Sequence, residues 1–396
     1  MSWVIWISIL LIFTVGGFSF INWRLINTMG WPILWKNVAR ILLALMFVVP
    51  LSSMFMLRYI EGVSHKLAWI TYVTLGFLSF VFTLLIIRDL TVILGITAKW
   101  LASLFSSEGS NVVDTSRRDF LIQTSNLGIL GAAGILTAYG VYQARRKPGI
   151  VNLTIPIKNL PADFEGFRIV QITDIHAGLT VKRDWTEIVA QQVSELKPDL
   201  IAFTGDLADG SVPHLREHVE PFAFLNAPYG KFFVTGNHEY YSDVLPWVEE
   251  IGRMGYKVLN NEHAIVERNG SSLVLAGVTD YSGGDFLPEH KSDPRKAVDG
   301  APADTVKILL AHQPRSLHAA EPLGFDFIIT GHTHGGQFFP WNWLAAIGQP
   351  YIKGLHRHNG TWVYVSMGTG YWGPPVRLGT RSEITLFTLT ADQQTA

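Results

Sequence analysis

The chain has 396 residues, a formal net charge of -1 and no cysteine. This length allows two or more structural units, and the near-neutral charge gives no argument for nucleic acid binding. The absence of cysteine excludes disulfides and thiolate ligands, so any metal must be held by nitrogen and oxygen donors. The averages hide a division, because the chain is mostly apolar up to about residue 145 and has ordinary globular composition after it.

Three apolar runs in the first 104 residues are about as long as a bilayer-spanning helix. They cover residues 1–20, 41–57 and 67–87. Trp23, Trp31 and Tyr59 lie near their ends, as is typical of aromatic residues at a membrane interface. Because no ionisable residue lies deep within a run, the pattern indicates an anchor rather than a transporter. We predict an all-α transmembrane region of three spans over residues 1–104.

A linker is predicted at residues 105–118, and a fourth apolar segment follows at 119–146. The six residues from Ser116, S-R-R-D-F-L, resemble a bacterial twin-arginine export signal. The alternative is a fourth membrane span with Arg117 and Arg118 at its cytoplasmic edge. Both interpretations place the rest of the chain on the outer, periplasmic face of a bacterial inner membrane that the chain crosses several times. The basic cluster at 145–147 favours the opposite orientation.

From about residue 150 the sequence predicts strands that alternate with helices, which is typical of a layered α/β domain. Strands are predicted at 168–173, 200–204, 231–235, 272–278, 306–311, 325–330, 362–366 and 383–389, and a helix at 185–196. The polar segment 280–304 is predicted to be a surface excursion. We therefore predict an α/β domain over residues 150–396.

Polar residues follow five of these strands at the point where each strand ends. They are Asp174 and His176, Asp206, Asn237 with His238, His312, and the pair His332 and His334 in a glycine-flanked turn. The carboxyl ends of strands are where ligands bind in α/β sheets, and these donors suit Mn, Fe or Zn. Each residue alone would more often be a turn, cap or core residue. Their joint occurrence predicts a metal centre.

This ordered series of motifs resembles the calcineurin-like metallophosphoesterase family, from about residue 150 to the end of the chain. The tail that runs from Tyr364 through Arg377 to Ile384 resembles the membrane-associated bacterial branch that includes proteins called YkuE and YaeI. The resemblance implies a four-layer α-β-β-α sandwich and a centre with two divalent metal ions.

The resemblance also implies a role for each motif residue. One metal would be held by Asp174, His176, Asp206 and His334. The other would be held by Asp206, Asn237, His312 and His332, so that Asp206 bridges the two ions. His238 would lie beside the phosphorus without binding metal.

The expected reaction is hydrolysis of a phosphomonoester or phosphodiester by metal-bound hydroxide, with His238 as the proton donor to the departing oxygen. The predicted membrane location favours a lipid or cell-envelope substrate. Two alternatives are a cytoplasm-facing pyrophosphatase of nucleotide-linked lipids and a non-catalytic metal-binding membrane scaffold. We expect no nucleic acid partner, and the sequence does not determine an oligomeric state.

An apolar segment, 338–344, directly follows the predicted metal turn. It either dips into a bilayer surface and admits a lipid phosphoester, or packs on the domain as ordinary core. The sequence leaves both interpretations open.

Overall fold

The computed structural model describes residues 3–59, 65–105 and 115–392; among these, the side chains of 3–7, 9–10, 13, 53–59 and 65 are not described. The chain divides into two units, Met1–Tyr142 and Gln143–Ala396. The division falls inside the predicted fourth apolar segment, 119–146. Most of the predicted linker lies outside the described residues.

The first unit contains four described helices, because its apolar runs satisfy their backbone hydrogen bonds internally. They are α1 (Trp3–Ile21), α2 (Ile33–Tyr59), α3 (His65–Ser103) and α4 (Thr115–Arg145). Three stretches among the described residues are long and apolar enough to cross a membrane: Ile33–Ser52, Lys66–Ser103 and Thr115–Arg145. The predicted first run lies on α1, many of whose side chains are outside the described set. Arg117 and Arg118 lie in the first turn of α4.

A small polar cluster links segments of this unit. Asp89 forms ion pairs with Arg24 at 2.7 Å and Arg88 at 2.9 Å. The amide of the fully buried Asn126 donates to Thr28 Oγ1 at 2.8 Å. Arg88 and Asp89 directly follow the predicted run 67–87 but lie within the longer apolar stretch Lys66–Ser103. Because the charges of this cluster pair with one another, it can join segments of the first unit inside such a stretch.

Twelve described strands in the second unit form two six-stranded sheets. They are β1 (Gly149–Ile157), β2 (Arg168–Ile172), β3 (Leu200–Phe203), β4 (Lys231–Phe233), β5 (Lys257–Val258), β6 (Glu262–Arg268), β7 (Ser271–Gly277), β8 (Lys307–Leu310), β9 (Phe327–Thr330), β10 (Gly354–His358), β11 (Thr361–Val365) and β12 (Glu383–Ala391). Sheet one has the order β1-β12-β2-β3-β4-β5, and sheet two has the order β10-β11-β9-β8-β7-β6. The neighbours β2, β3 and β4 are parallel, as are β7, β8 and β9.

Helices of the second unit complete the layers. They are α5 (Arg183–Glu195), α6 (Val212–Val219), α7 (Asn237–Tyr241), α8 (Val244–Arg253), α9 (Pro294–Ala297), α10 (Leu317–Ala320) and α11 (Trp341–Ala345). The two sheets share one buried core, to which Ile169 of β2 and Ile308 of β8 belong. Val170, the next residue of β2, packs in a second core with Trp185 of α5, since successive strand side chains point to opposite faces.

A third core joins sheet two to its own helices, with Leu309 of β8 against Leu317 of α10. Three cores between four layers give an α-β-β-α sandwich, which confirms the predicted fold class.

The eight predicted strands all lie within observed ones or differ from them by one or two residues at the ends. Four strands were not predicted: β1, β5, β6 and β10. Strand β1 carries a readable signal, because Leu153, Ile155 and Ile157 alternate with polar or small residues. The predicted surface excursion at 280–304 contains short helical turns, and its first residue, Asp280, is fully buried rather than exposed.

Candidate metal centre

The parallel strands of sheet one deliver four of the predicted site positions to one edge. Asp174 and His176 follow β2, Asp206 follows β3, and Asn237 begins the short helix α7 after β4. Because the three strands are parallel neighbours, their carboxyl ends meet at the same edge of the sheet.

Sheet two delivers the remaining ligand candidates in the same way. His312 follows β8, and His332 and His334 follow β9, its parallel neighbour. A hydrogen bond between a side chain and the backbone links the two sheets here. His312 Nδ1 lies 2.7 Å from the carbonyl oxygen of Thr204, the residue that follows β3. All seven predicted ligands and His238 therefore converge.

One group of potential ligand atoms comes from Asp174, His176 and His334, all buried. The Nε2 atoms of His176 and His334 are 3.0 Å apart, and Nε2 of His334 lies 3.5 Å from a carboxylate oxygen of Asp174. Nε2 of His176 is also 3.7 Å from Oδ2 of Asp206.

A second group comes from Asp206, His312 and His332. Nε2 of His312 lies 3.1 Å from Asp206 Oδ2, 3.2 Å from Nδ1 of His332 and 3.2 Å from the side-chain oxygen of Asn237. The same oxygen of Asp206 therefore faces imidazoles of both groups, as the predicted bridging position requires.

The donor set fits two divalent metal ions. Pairs of ring nitrogens that point at each other beside buried carboxylates form the kind of N/O ligand set that Mn, Fe and Zn take. Burial lowers the pKa of His332 to about 3 and the pKa of His334 well below its ordinary value, so both are neutral imidazoles, as metal ligation requires. Burial opposes a charge on His312, but the Asp206 carboxylate outweighs it and raises the pKa of His312. A proton on His312 thus balances the negative charge of Asp206. A metal cation would supply that positive charge instead, with His312 as a neutral ligand.

The backbone at the site is unusual. Five ligand candidates have positive φ: Asp174 (54°), His176 (53°), Asp206 (56°), His332 (72°) and His334 (50°). Few residues other than glycine adopt this left-handed conformation, and such residues cluster at functional sites. The left-handed backbone thus orients these five side chains toward the centre of the site.

Two glycines allow the turns to come close. A Cβ atom at Gly331 would collide with Thr173 Oγ1 and with the carboxylate of Asp174. A Cβ atom at Gly236 would collide with the carboxylate of Asp206. These positions require glycine because ligand side chains occupy the space beside them.

Asp209 belongs to the site, although the sequence analysis did not single it out. Its Oδ1 lies 3.0 Å from Nδ1 of His176 and 2.6 Å from Nδ1 of His238. Burial opposes protonation of His238, but the carboxylates of Asp209 and Asp206 outweigh it and raise the pKa of His238 to about 9. Its position three residues after Asp206 is the signal that could have found it.

Glu239 follows His238 directly and had no predicted role. Its carboxylate accepts hydrogen bonds from the backbone N–H groups of Asp206 at 3.0 Å, Leu207 at 2.7 Å and Gly236 at 2.7 Å. Burial raises the pKa of Glu239 to about 8, and the Asp206 carboxylate adds to this. Glu239 therefore fixes the loop that carries Asp206.

Arg377, in the tail that the sequence analysis quoted, supports the opposite side of the site. Its guanidinium is fully buried and donates to the carbonyl oxygens of Met367 and Gly370, both at 2.7 Å. One of its nitrogens lies 3.1 Å from Nδ1 of His334. Burial lowers the pKa of Arg377 to about 10, so it stays charged.

The chain is similar to known proteins over this unit. The family model described as calcineurin-like phosphoesterase matches residues 167–336, which contain every predicted ligand and His238. A Danio rerio "transmembrane protein with metallophosphoesterase domain" is 40% identical over 259 residues, which cover 63% of this chain and 59% of the relative. The chain therefore spans about three fifths of that relative's length.

Two bacterial relatives are covered more fully. An uncharacterized metallophosphoesterase of Helicobacter pylori strain J99 is 33% identical over 64% of this chain and 67% of its own length. The uncharacterized metallophosphoesterase YkuE of Bacillus subtilis is 32% identical over 69% of this chain and 97% of its own length.

Proposed function

Because this chain belongs to the calcineurin-like phosphoesterase family, we propose that it hydrolyses a phosphomonoester or phosphodiester with the help of two divalent metal ions. The observation that supports this proposal is that Asp206 Oδ2 lies 3.7 Å from Nε2 of His176 and 3.1 Å from Nε2 of His312. One carboxylate thus serves two adjacent groups of ligand atoms.

The proposed ligands are those that the resemblance implies, and they include every member of the two groups described above. Asp174, His176, Asp206 and His334 would hold one ion, and Asp206, Asn237, His312 and His332 would hold the other. Two such ions, when bound, stabilise the attacking and departing oxygens of an in-line displacement at phosphorus. Mn, Fe and Zn suit these donors.

His238 would supply the proton to the departing oxygen. Asp209 holds its Nδ1 at 2.6 Å, which leaves Nε2 to face a substrate. With a pKa of about 9 the ring carries that proton at neutral pH. When the P–O bond to the alcohol breaks, the alkoxide oxygen takes the proton from His238, and Asp209 keeps the ring oriented.

The direct test uses the full-length chain, purified in detergent. Elemental analysis should find transition metal, and chelation followed by dialysis should remove both the metal and the hydrolysis of p-nitrophenyl phosphate or bis(p-nitrophenyl) phosphate. Added Mn, Fe or Zn should restore it. Hydrolysis that survives complete removal of metal contradicts the proposal, and the better of the two esters indicates the substrate class.

The chain is associated with a membrane, as its three candidate spans and transmembrane-named relatives indicate. We further propose a multi-pass location in a bacterial inner membrane with the second unit on the periplasmic face, because Arg117 and Arg118 lie in the first turn of the last apolar helix, α4. Two reporters fused at the C-terminus test this. Activity of an exported reporter supports the orientation, whereas activity only of a cytoplasmic reporter contradicts it.

A lipid or envelope phosphoester is the proposed substrate. Phe338 packs in the interior, but Trp341, Trp343 and Leu344 on α11 are 41%, 69% and 52% exposed. Helix α11 follows the metal turn by only a few residues and presents these side chains where a bilayer surface would stabilise them.

The test reconstitutes the full chain in vesicles and compares a lipid phosphoester with a soluble one. Trp341→Ala with Trp343→Ala should slow only lipid hydrolysis, by a few-fold. The control Phe224→Ala truncates an exposed aromatic on another surface (76% exposed) and should change neither. Equal rates in all variants would contradict contact of α11 with lipid.

A further inference from the structure

Three half-exposed aromatic side chains lie around His238. The rings of Tyr241 and Trp372 lie 5.1 Å and 5.9 Å from the imidazole, and Phe286 lies 5.7 Å from Tyr241. Their exposed fractions are 49%, 54% and 48%. Folding leaves about half of each ring in water, although large apolar side chains are stabilised by burial. An apolar ligand could cover this surface.

Trp372 is exposed but its backbone is firmly held. Its N–H donates to the side-chain oxygen of Gln337 at 2.9 Å, and its carbonyl accepts from the side-chain nitrogen of Gln337 at 2.9 Å. Gln337 is itself buried and lies three residues after His334. The position of Trp372 is therefore fixed relative to the metal turn.

The other two rings come from different segments. Tyr241 is the last residue of α7, the helix that also carries Asn237 and His238. Phe286 lies in the 280–304 excursion, at the end of a short turn. Three segments that are distant in the sequence thus bring rings close to one histidine: Tyr241 and Trp372 lie next to it, and Phe286 lies next to Tyr241. Because the fold itself positions these rings, they form a preorganised surface.

The location of these rings specifies the part of the substrate that they can touch. The proposed role of His238 is to protonate the departing oxygen, so groups beside it adjoin the departing alcohol rather than the phosphoryl oxygens. We propose that Tyr241, Trp372 and Phe286 bind the departing alcohol, and that its carbon skeleton next to the ester oxygen is apolar. This inference rests on the proposed phosphoesterase function.

The test measures kcat/KM of the full-length chain with three soluble esters: ethyl, n-hexyl and 2-(2-naphthyl)ethyl. Each is prepared as the phosphomonoester and as its methyl diester, and the form that the chain hydrolyses is used. The three alcohols have similar pKa values, so differences in rate report contacts and not leaving-group reactivity. The wild type should prefer the two larger esters over the ethyl ester by about fivefold or more. The ratio of kcat/KM for the naphthylethyl ester to kcat/KM for the hexyl ester tells whether an aromatic ring or an alkyl chain fits the surface better.

Trp372→Ala and Tyr241→Ala should each remove most of this preference while the ethyl ester changes by less than about twofold. Tyr241→Phe should keep the preference, because it keeps the ring. Phe224→Ala is the matched control, since it truncates an aromatic side chain that is 76% exposed on another surface. Metal content of each variant reports whether the centre is intact.

The outcomes separate this inference from the function on which it rests. Equal efficiency with all esters in the wild type overturns the inference and leaves the phosphoesterase function standing. Variants that slow the ethyl ester as much as the larger esters overturn it as well, because they indicate a structural role. A metal-loaded wild type that hydrolyses none of the esters, nor the p-nitrophenyl esters, overturns both.

Discussion

The two sheets contribute different chemistry to the same centre. Sheet one supplies both carboxylates proposed as ligands, Asp174 and Asp206, together with the amide of Asn237 and the proposed proton donor His238. Sheet two supplies imidazoles only: His312, His332 and His334. Sheet one therefore carries the negative charge of the centre, whereas sheet two adds donors that bind metal only when neutral.

The two sides are also held in different ways. On sheet one, buried acids hold the ligand residues: Asp209 contacts the His176 ring, and Glu239 accepts from the N–H of Asp206. On sheet two, His312 faces a backbone carbonyl and His334 faces the guanidinium of Arg377. We infer that substitutions of site residues on sheet one mainly change the charge of the centre and its catalysis. Substitutions of residues that support sheet two should mainly change the shape of the turn that carries His332 and His334.

The largest effect is expected for Asp206→Ala on sheet one. This change removes the carboxylate whose Oδ2 faces imidazoles of both groups, and bound metals contribute several kcal/mol of transition-state stabilisation. We expect kcat/KM to fall by at least about 10³-fold and metal content to drop. Asp184→Ala, which truncates an aspartate whose side chain is 65% exposed, is the control. Full activity of Asp206→Ala would end the assignment.

The next largest effect is expected for His238→Ala, which should keep its metal. Loss of a proton donor costs about 10²–10⁴-fold when the departing alkoxide is basic. Kinetics with an alkyl ester and with a p-nitrophenyl ester check this, because the nitrophenolate departs without much help and should be affected far less. His214→Ala is a control outside the site. Equal losses with both esters would argue against proton donation.

A smaller effect is expected for Asp209→Asn. The amide keeps an oxygen near both histidines but removes the charge that stabilises protonated His238 and polarises His176. Groups of this kind typically contribute about 10–100-fold to metal affinity or activity. Metal titration and kcat measured on the same preparation would separate the two contributions. If neither the metal affinity nor kcat of Asp209→Asn changed, a supporting role of Asp209 would be excluded.

The smallest catalytic effect is expected for Arg377→Lys, on the side of sheet two. Lysine keeps the charge but loses the planar fork that reaches several acceptors. A buried carbonyl left without a donor costs about 1–3 kcal/mol, so thermal unfolding of the second unit should shift down by several degrees while kcat changes little. Arg216→Lys, at a side chain that is 57% exposed, is the control. A large loss of kcat without a thermal shift would contradict this division of roles.

Much of the centre could be predicted because it follows from local sequence. An apolar run followed by a polar residue marks the end of a buried strand, and parallel neighbours bring such ends together. This rule alone predicted Asp174, Asp206 and His312 as residues of the metal centre. The resemblance implied a four-layer sandwich, but the partner of each strand was not predicted. Strand β1, for example, pairs with β12 across more than 230 residues.

The supporting residues were harder to find for a physical reason. Asp209 and Glu239 act through contacts with residues about 30 positions away. The spacing of Asp209 from Asp206 marks it as a candidate, but it does not show that Asp209 contacts His176. Arg377 is fully buried, and arginine is almost never buried unless it is paired. In the sequence, Tyr241 and Trp372 have no pattern that distinguishes them from other aromatic residues. Only the fold places them beside His238.

The left-handed backbone at five ligand positions has a consequence for the protein in the cell. Each such residue carries strain of about 1–3 kcal/mol, and a cation that binds only the folded chain offsets it by mass action. Nutritional metal supply should therefore control the lifetime of the polypeptide as well as its turnover of substrate. Cells starved of transition metal are expected to degrade this protein faster than metal-replete cells, and a pulse-chase comparison would measure the difference.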